Sequence, residues 1–125
     1  MSMRTELGKV RGLGSAKSGT EHFWQQRVTA IANIPLVIYL IYFLLAHLGA
    51  PREAVIASIK NPFCAVALSL ALVSFIWHMR LGLQMVIEDY VHGKLRIACL
   101  LANTFYACAL AGLGLSAILK MSFGL

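Results

Sequence analysis

Three long apolar stretches, separated by shorter polar segments, dominate the hydrophobic pattern of the chain. They cover residues 28–48, 63–87 and 97–119. A helix needs about 20 apolar residues to cross about 30 Å of hydrocarbon, and each stretch is long enough. The pattern therefore predicts an all-α membrane protein with three transmembrane helices.

The polar connections predict the order of the helices. Helix-breaking residues lie at both ends of the first connection, 49–62, which has room for a short surface helix. The second connection, 88–96, is short enough to make the second and third helices antiparallel neighbours. The helices are therefore expected to run up-down-up, with residues 1–27 as a tail and interfacial segment and residues 28–125 as the anchor domain.

The segment before the first helix is polar and then amphipathic. Residues 4–18 are rich in glycine and polar groups, which predicts a mobile tail. Residues 18–27 combine aromatic rings with polar groups, which is typical of a segment along the lipid headgroups. We interpret Trp24 as an interfacial anchor rather than an electron-transfer group. Pro35, inside the first helix, removes one backbone hydrogen bond and is expected to kink it.

Composition supports a membrane location. The 125 residues are 59% hydrophobic and 13% charged, which leaves too little polar surface to cover a soluble globule. The three spans leave no room for a soluble catalytic domain, so any enzyme activity would be shared with other subunits. The three cysteines form no CxxC pair, and the chain has no CxxCH, GxGxxG or P-loop motif. Any cofactor is therefore held noncovalently.

The formal net charge of +6 is spread unevenly between the two ends of the predicted helices. By the positive-inside rule, the side with more Lys and Arg faces the cytoplasm. This places the N-terminus and residues 88–96 in the cytoplasm and the C-terminus outside, and it argues against nucleic-acid binding. The cytoplasmic set is Arg4, Lys9, Arg11, Lys17, Arg27, Lys94 and Arg96, against Arg52, Lys60 and Lys120 on the other side.

His78 lies inside the second apolar stretch, where an imidazole is costly unless it is bound to something. Either it hydrogen-bonds across a helix pair, or it binds a ligand such as haem iron. Its helix face is low in bulk, and Gly82, one turn on, would let a porphyrin edge approach the backbone. No second histidine lies at a matching depth, so another axial ligand would come from another protein. The face consists of Ala67, Ala71, Ser74, His78, Gly82, Met85 and Asp89.

Asp89 and Tyr90 close the same helix. An α-helix returns to one face after eleven residues, so His78 and Asp89 share a side, roughly 16 Å apart along the axis. Either Asp89 and Tyr90 mark an ordinary helix end, or they serve a quinone, whose reduction consumes two protons and puts negative charge on its oxygens. A phenolic donor beside a carboxylate suits that chemistry. Glu88 points about 100° away, so it forms no acid–base pair with Asp89.

Arg27 is expected on the same side of the membrane as Asp89, whereas Arg80 is expected on a different helix face from His78. Arg27 enters the first helix on the side of Asp89, where it either reaches lipid phosphate or serves a haem propionate or quinone oxygen. Arg80 lies about 200° round the helix from His78, so it faces lipid or another subunit rather than the same ligand. The third helix carries small residues suited to close helix contact, and these are Cys108, Gly112 and Ser116.

Two stretches carry a family resemblance. The first is His78, ten intervening residues and then Asp89-Tyr90-Val91-His92-Gly93, and the second is Arg27-Val-Thr-Ala-Ile31. The first stretch resembles a signature of the hydrophobic membrane-anchor subunit of succinate dehydrogenase. The second resembles the Arg-x-Thr/Ser-Ala sequence with which the first helix of that subunit begins. That subunit is the small cytochrome b subunit of succinate:quinone oxidoreductase, or respiratory complex II. The three-span layout extends the resemblance over most of the chain.

The resemblance implies a shared cofactor and a quinone site. His78 would be an axial ligand of a haem b shared with a second cytochrome b membrane subunit, which supplies the other histidine. Tyr90 would donate a hydrogen bond to ubiquinone, Asp89 would support it and supply protons, and Arg27 would lie near the haem propionates. The three helices would thus form part of a larger bundle in the lipid bilayer.

The resemblance also implies soluble partners. These are an iron–sulfur subunit and a flavoprotein carrying covalent FAD, docked on the cytoplasmic face, which pass electrons from succinate to the quinone. The chain would bind neither succinate nor FAD, so it would belong to an enzyme without being catalytic alone.

Two other functions stay open at this point. One is a fumarate reductase anchor that uses menaquinol, and the other is a noncatalytic three-span packing or transport subunit. Because the chain starts close to its first helix without an obvious long transit segment, a bacterial cytoplasmic membrane is favoured over the mitochondrial inner membrane.

Overall fold

The computed structural model describes Met3, residues 5–12 and residues 19–125. This part of the chain is helical, with short connections and three helices long and apolar enough to cross a membrane. The predicted fold class is therefore confirmed. The helices are α1 (Glu6–Val10), α2 (Gly19–Ala46), α3 (Arg52–Ile59), α4 (Pro62–Tyr90) and α5 (Gly93–Phe123).

The predicted tail contains one short helix. In α1, the side chain of Thr5 accepts a hydrogen bond from the backbone N–H of Gly8, which caps the first turn. Lys9 and Glu6 form an ion pair across the same turn, with 2.6 Å between Nζ and Oε1. Arg4 and residues 13–18 of the predicted mobile tail, Lys17 among them, lie outside the described residues.

α2 begins well before the apolar stretch that predicted it. It runs without a break from Gly19 to Ala46, so residues 19–27 form its first turns. Pro35 lies inside this helix, which continues through it. Hydropathy marks only the residues in hydrocarbon, whereas backbone hydrogen bonding continues through polar residues beyond it. This difference explains the earlier start.

Helix caps define the first connection. Gly49 adopts a φ of 75°, a left-handed conformation that favours glycine, just after α2 ends. The predicted surface helix is confirmed as α3. Asn61 then caps α4, because its side chain accepts a hydrogen bond from the backbone N–H of Phe63 at 2.9 Å. Pro62 occupies the first position of α4, where its missing N–H costs nothing.

The second connection is shorter than predicted. α4 continues to Tyr90 and α5 starts at Gly93, so only Val91 and His92 lie between the two helices. Gly93 has a φ of 68°, which a residue with a side chain rarely adopts. Most of the predicted loop 88–96 is thus helical, and the tight turn makes α4 and α5 antiparallel neighbours.

α4 lies between α2 and α5, which make no direct contact with each other in the described part of the chain. In α4, Ser74 contacts Asn33 of α2 and His78 contacts Thr29 of α2. Residue numbers therefore increase along α4 in the direction in which they decrease along α2. Both neighbours of α4 therefore run antiparallel to it, as the up-down-up prediction requires.

Few side chains are buried. α2 buries none, and α4 buries only Cys64, Ala71 and Leu81. Most large apolar side chains are exposed over the helix faces. An apolar exterior of this extent is stable in lipid or against another apolar chain, not in water.

Candidate functional site

His78 is half-buried on α4 and contacts α2. Its Nδ1 lies 2.9 Å from the hydroxyl oxygen of Thr29. The same hydroxyl lies 2.8 Å from the backbone oxygen of Gln25 and 3.1 Å from that of Gln26, one turn earlier in α2. Among the described residues, no hydrogen bond involves Nε2 of His78. One ring nitrogen is therefore held by α2 while the other keeps its lone pair or proton for another partner.

The small-residue face of α4 packs partly against α2. One turn before His78, Ser74 donates a hydrogen bond to Asn33 at 2.6 Å. One turn after it, a methyl group added at Gly82 would lie 3.8 Å from Nε2 of Gln26, an ordinary contact distance. Packing of α2 therefore does not require glycine at position 82.

Asp89 and Tyr90 both face outward at the end of α4. Tyr90 exposes 80% of its surface. Arg27 is also exposed, and its guanidinium lies 5.2 Å from the ring centre of Phe23. The one ion pair found in the described ranges joins Lys9 and Glu6, so Arg27 and Asp89 are not paired. Asp89 and Tyr90 lie at one end of the bundle, whereas Arg27, which follows the Gln26 that lies beside Gly82, is nearer the level of His78.

A cavity that the sequence did not indicate lies between the start of α2 and the end of α4. Its volume is about 390 Å³. Gln84 donates a hydrogen bond to Glu88 at 2.9 Å on its wall, while Nε2 of His22 and Oε1 of Gln26 are buried without a hydrogen-bond partner among the described residues. Glu88 thus faces this cavity while Asp89 faces outward, as their angular separation predicted. The lining is Gly19, His22, Phe23, Gln26, Gln84, Met85 and Glu88.

His47 differs from His78 in its hydrogen bonding. Its Nδ1 donates to the backbone oxygen of Phe43 at 2.8 Å, and its Nε2 lies 2.7 Å from the hydroxyl of Ser58 in α3. Both ring nitrogens are used within the chain. His47 is therefore a structural residue that ties the end of α2 to α3, and it has no free nitrogen for a metal.

Arg80 lies on the opposite side of α4 from His78, against α5. It donates to Thr104 across 3.5 Å and stacks over the ring of Trp77, 5.3 Å from its centre. Asn103 of α5 donates to the backbone oxygen of Arg80 at 3.0 Å. His78 and Arg80 therefore lie on different faces of α4, as the helix geometry predicted. The expectation that Arg80 faces lipid or another subunit is wrong, because α5 of the same chain packs against that face.

The predicted small-residue surface of α5 does not face α4. Cys108, Gly112 and Ser116 are exposed, and no atom lies within 4 Å of a methyl group added at Gly112. The α4 contact instead uses Ala107, which is buried, and Gly114, where an added methyl group would overlap the side chain of Leu72. The surface remains available for a chain or lipid outside this subunit.

Known proteins match this chain over most of its length. The family model for the succinate dehydrogenase/fumarate reductase transmembrane subunit matches residues 1–119. The succinate dehydrogenase hydrophobic membrane anchor subunit of Rickettsia bellii is 38% identical over 83% of this chain and 84% of its own. The subunit of the same name from Paracoccus denitrificans is 28% identical over 92% of this chain and 89% of its own.

A third relative, the succinate dehydrogenase membrane anchor subunit of Reclinomonas americana, is 34% identical over 62% of this chain and 68% of its own. No solved structure matches significantly. The family match and the Rickettsia relative each cover most of the chain, and they confirm the resemblance drawn from the sequence. The chain belongs to the succinate dehydrogenase/fumarate reductase transmembrane subunit family.

Proposed function

We propose that this chain is the membrane-anchor subunit of succinate dehydrogenase, respiratory complex II, and that it acts only within that complex. Three membrane-length helices make up most of the described residues. The relatives from Rickettsia and Paracoccus carry the corresponding name. The catalytic oxidation of succinate therefore belongs to a flavoprotein subunit, and an iron–sulfur subunit conducts the electrons to the membrane.

His78 is the residue of this chain that would hold a haem b. It fits the role because α2 engages Nδ1, while no described residue bonds Nε2. Imidazole nitrogen is a common axial ligand of haem iron. When bound, the haem supplies a one-electron carrier inside the membrane. Both ring nitrogens of His47 are already used, and His22 lies about two turns along α2 from Thr29, so a cytochrome b partner in the membrane would supply the other histidine for the haem.

Tyr90 and Asp89 would contribute to the ubiquinone site. Both are exposed at the end of α4, where a partner subunit and a bound quinone have room to contact them. The phenol of Tyr90 would donate a hydrogen bond to a quinone carbonyl oxygen, which gains negative charge as electrons arrive. Asp89 would supply and relay protons, because each quinone takes up two electrons and two protons to become the quinol. Arg27, which lies nearer the level of His78 than that of Tyr90, would neutralise a haem propionate or polarise the quinone.

The single observation on which this proposal rests is the placement of His78, Asp89 and Tyr90 along α4. One helix holds His78 against α2 within the hydrocarbon and ends in Asp89 and Tyr90 about 16 Å further along its axis. That separation suits a redox centre in the membrane beside a site at its surface.

The test is a dithionite-reduced minus oxidised visible spectrum of the complex purified through this chain in mild detergent. We expect b-type haem bands together with larger subunits, loss or alteration of the bands in His78→Ala, and unchanged bands in His47→Ala. The reversed pattern would overturn the assignment of His78. A blank spectrum from the chain without larger subunits would favour a packing or transport subunit instead.

A fumarate reductase anchor that uses menaquinol is the second candidate. The description of the matching family names both enzymes, and the same side chains would serve a quinone in either direction. Extraction of the quinone from the purified complex distinguishes the two. Ubiquinone supports the succinate dehydrogenase assignment, whereas menaquinone supports fumarate reduction.

We also propose a bacterial cytoplasmic membrane, with the N-terminus in the cytoplasm and the C-terminus in the periplasm. The Rickettsia and Paracoccus relatives support a bacterial source, and the uneven distribution of Lys and Arg supports the orientation.

A further inference from the structure

We propose that Thr29 is a positioning residue, which fixes the tautomer and ring orientation of His78 and makes Nε2 the iron-binding atom. This inference rests on the proposed haem ligation by His78. Thr29 belongs to α2 and contacts His78 of α4, so it acts through the histidine rather than on the haem.

The proton positions follow from the three neighbours of the Thr29 hydroxyl. Two are backbone oxygens, of Gln25 at 2.8 Å and Gln26 at 3.1 Å, and these only accept hydrogen bonds. The third is Nδ1 of His78 at 2.9 Å. A hydroxyl has one proton and two lone pairs, so it satisfies all three neighbours only by donating to the backbone and accepting from the ring.

The opposite arrangement leaves a repulsive contact. If Thr29 donated its proton to His78, the hydroxyl oxygen would face the backbone oxygen of Gln25 at 2.8 Å with no hydrogen between them. Two oxygens at that distance with no hydrogen between them repel each other, and the low dielectric of a membrane interior strengthens the repulsion. Nδ1 therefore carries the proton, and the lone pair of the neutral ring lies on Nε2. This is the tautomer that an axial ligand needs.

The same hydrogen bond affects how strongly Nε2 binds iron. An acceptor on the N–H of a metal-binding histidine orients the ring and raises its basicity, and losing that acceptor typically weakens metal binding by about 10–100-fold. A more basic ligand stabilises the ferric ion. Removing the Thr29 hydroxyl should therefore raise the midpoint potential of the haem and weaken its retention.

The experiment compares three variants in the whole complex. Thr29→Val keeps the shape of the side chain and removes the hydroxyl, while Thr29→Ser keeps the hydroxyl. Ser74→Ala is the matched control, because it removes the neighbouring polar contact between the same two helices, Ser74 with Asn33, and leaves the His78 contact in place. The measurements are haem per flavin, the midpoint potential from a redox titration, and the low-spin ferric electron paramagnetic resonance spectrum.

We expect Thr29→Val to lower haem per flavin and shift the midpoint potential of the remaining haem upward, with altered ferric g values. Thr29→Ser and Ser74→Ala should match the unmodified complex. Unchanged potential, spectrum and haem content in Thr29→Val would overturn the inference alone, and so would equal changes in Ser74→Ala, which would indicate general loosening of the helix pair. An unmodified complex that contains the larger subunits but no b-type haem would overturn the haem ligation proposed for His78, and this inference with it, while the anchor role would stand.

Discussion

Tyr90 and Gly82 lie on the same helix as His78, and their surroundings test different parts of the proposed function. Tyr90 makes no side-chain hydrogen bond with any described residue and exposes 80% of its surface, so changing its hydroxyl disturbs little within the chain. At Gly82 an added methyl group would meet only Gln26, at an ordinary contact distance. Substitutions at either position should therefore report on groups outside the chain.

Tyr90→Phe should lower succinate:quinone turnover by roughly 10-fold or more, because a phenol that donates to the charge developing on the quinone is lost. Reduction of a soluble dye by succinate should be unchanged, since that electron path ends before the membrane. The two activities are measured on the same purified complex. Equal loss of both would indicate failed assembly and contradict the assigned role.

Gly82→Ala should reduce haem per flavin several-fold while the complex still assembles. The methyl group fits against Gln26 and should even favour the helix, so the chain itself gives no reason for a loss. A porphyrin edge close to the backbone would be displaced by it. A haem content equal to that of the unmodified complex would show that Gly82 is not part of the haem surface.

The contact between α4 and α5 depends on close approach at a small number of positions. Asn103 of α5 donates to the backbone oxygen of Arg80, Ala107 is buried, and the side chain of Leu72 fills the space beside Gly114. An interhelical hydrogen bond and small residues are the usual means of holding helices together in lipid, where the hydrophobic effect contributes little. This pair of helices should respond sharply to added volume at Gly114.

Gly114→Ala should destabilise the anchor by about 1–3 kcal/mol, because Leu72 must leave its position to admit the methyl group. The measurement is the temperature at which the purified complex loses quinone reductase activity in detergent. Gly112→Ala is the control, since nothing lies within 4 Å of a methyl group there. A larger loss in Gly112→Ala would mean that the outer face of α5, not its contact with α4, limits stability.

Hydropathy predicted the three spans and the antiparallel turn, and the structure differs from the prediction mainly at the helix ends. α2 starts at Gly19 rather than at 28, and α5 starts at Gly93 rather than at 97, because backbone hydrogen bonds do not end where hydrocarbon ends. Which face of each helix points toward its neighbour was harder to predict. Large apolar side chains surround α2 after residue 27, so no hydrophobic stripe indicated that its Thr29 faces α4.

Of the candidate site, the sequence predicted the relative placement of residues on one helix but not the contacts between helices. His78, Asp89 and Tyr90 share one helix, so their relative placement follows from helical geometry alone. The partner of His78 and the cavity lined by Gln26 and Glu88 need the packing of two helices, which spacing along one helix does not provide. The signal available for Thr29 was its place in the Arg27-Val-Thr-Ala-Ile31 stretch, which the family resemblance already included.

The whole subunit is a layer of three helices with α4 in the middle, rather than a closed bundle with its own core. α2 has no buried residue, and large apolar side chains cover its exposed faces. The haem proposed at His78 also needs a second protein ligand. Both observations favour a second membrane subunit packed against this layer, while the remaining surface contacts lipid.

The orientation of this layer decides whether Tyr90 and Asp89 lie on the side where soluble subunits would dock. Residues at that end include Lys94 and Arg96, whereas α3 lies at the other end, so the orientation proposed from the positive-inside rule would place α3 in the periplasm. Single cysteines at exposed positions on either end test this, namely Glu53→Cys in α3 and Lys94→Cys at the start of α5.

A membrane-impermeant maleimide should label Glu53→Cys in intact cells, because α3 is expected to face the periplasm. Lys94→Cys should react only after the membrane is opened and the complex is dissociated, since soluble subunits would cover that end. The unmodified chain, with Cys64, Cys99 and Cys108, gives the background. Labelling of Lys94→Cys in intact cells would reverse the orientation, and Tyr90 and Asp89 would then lie on the side of the membrane away from cytoplasmic electron donors.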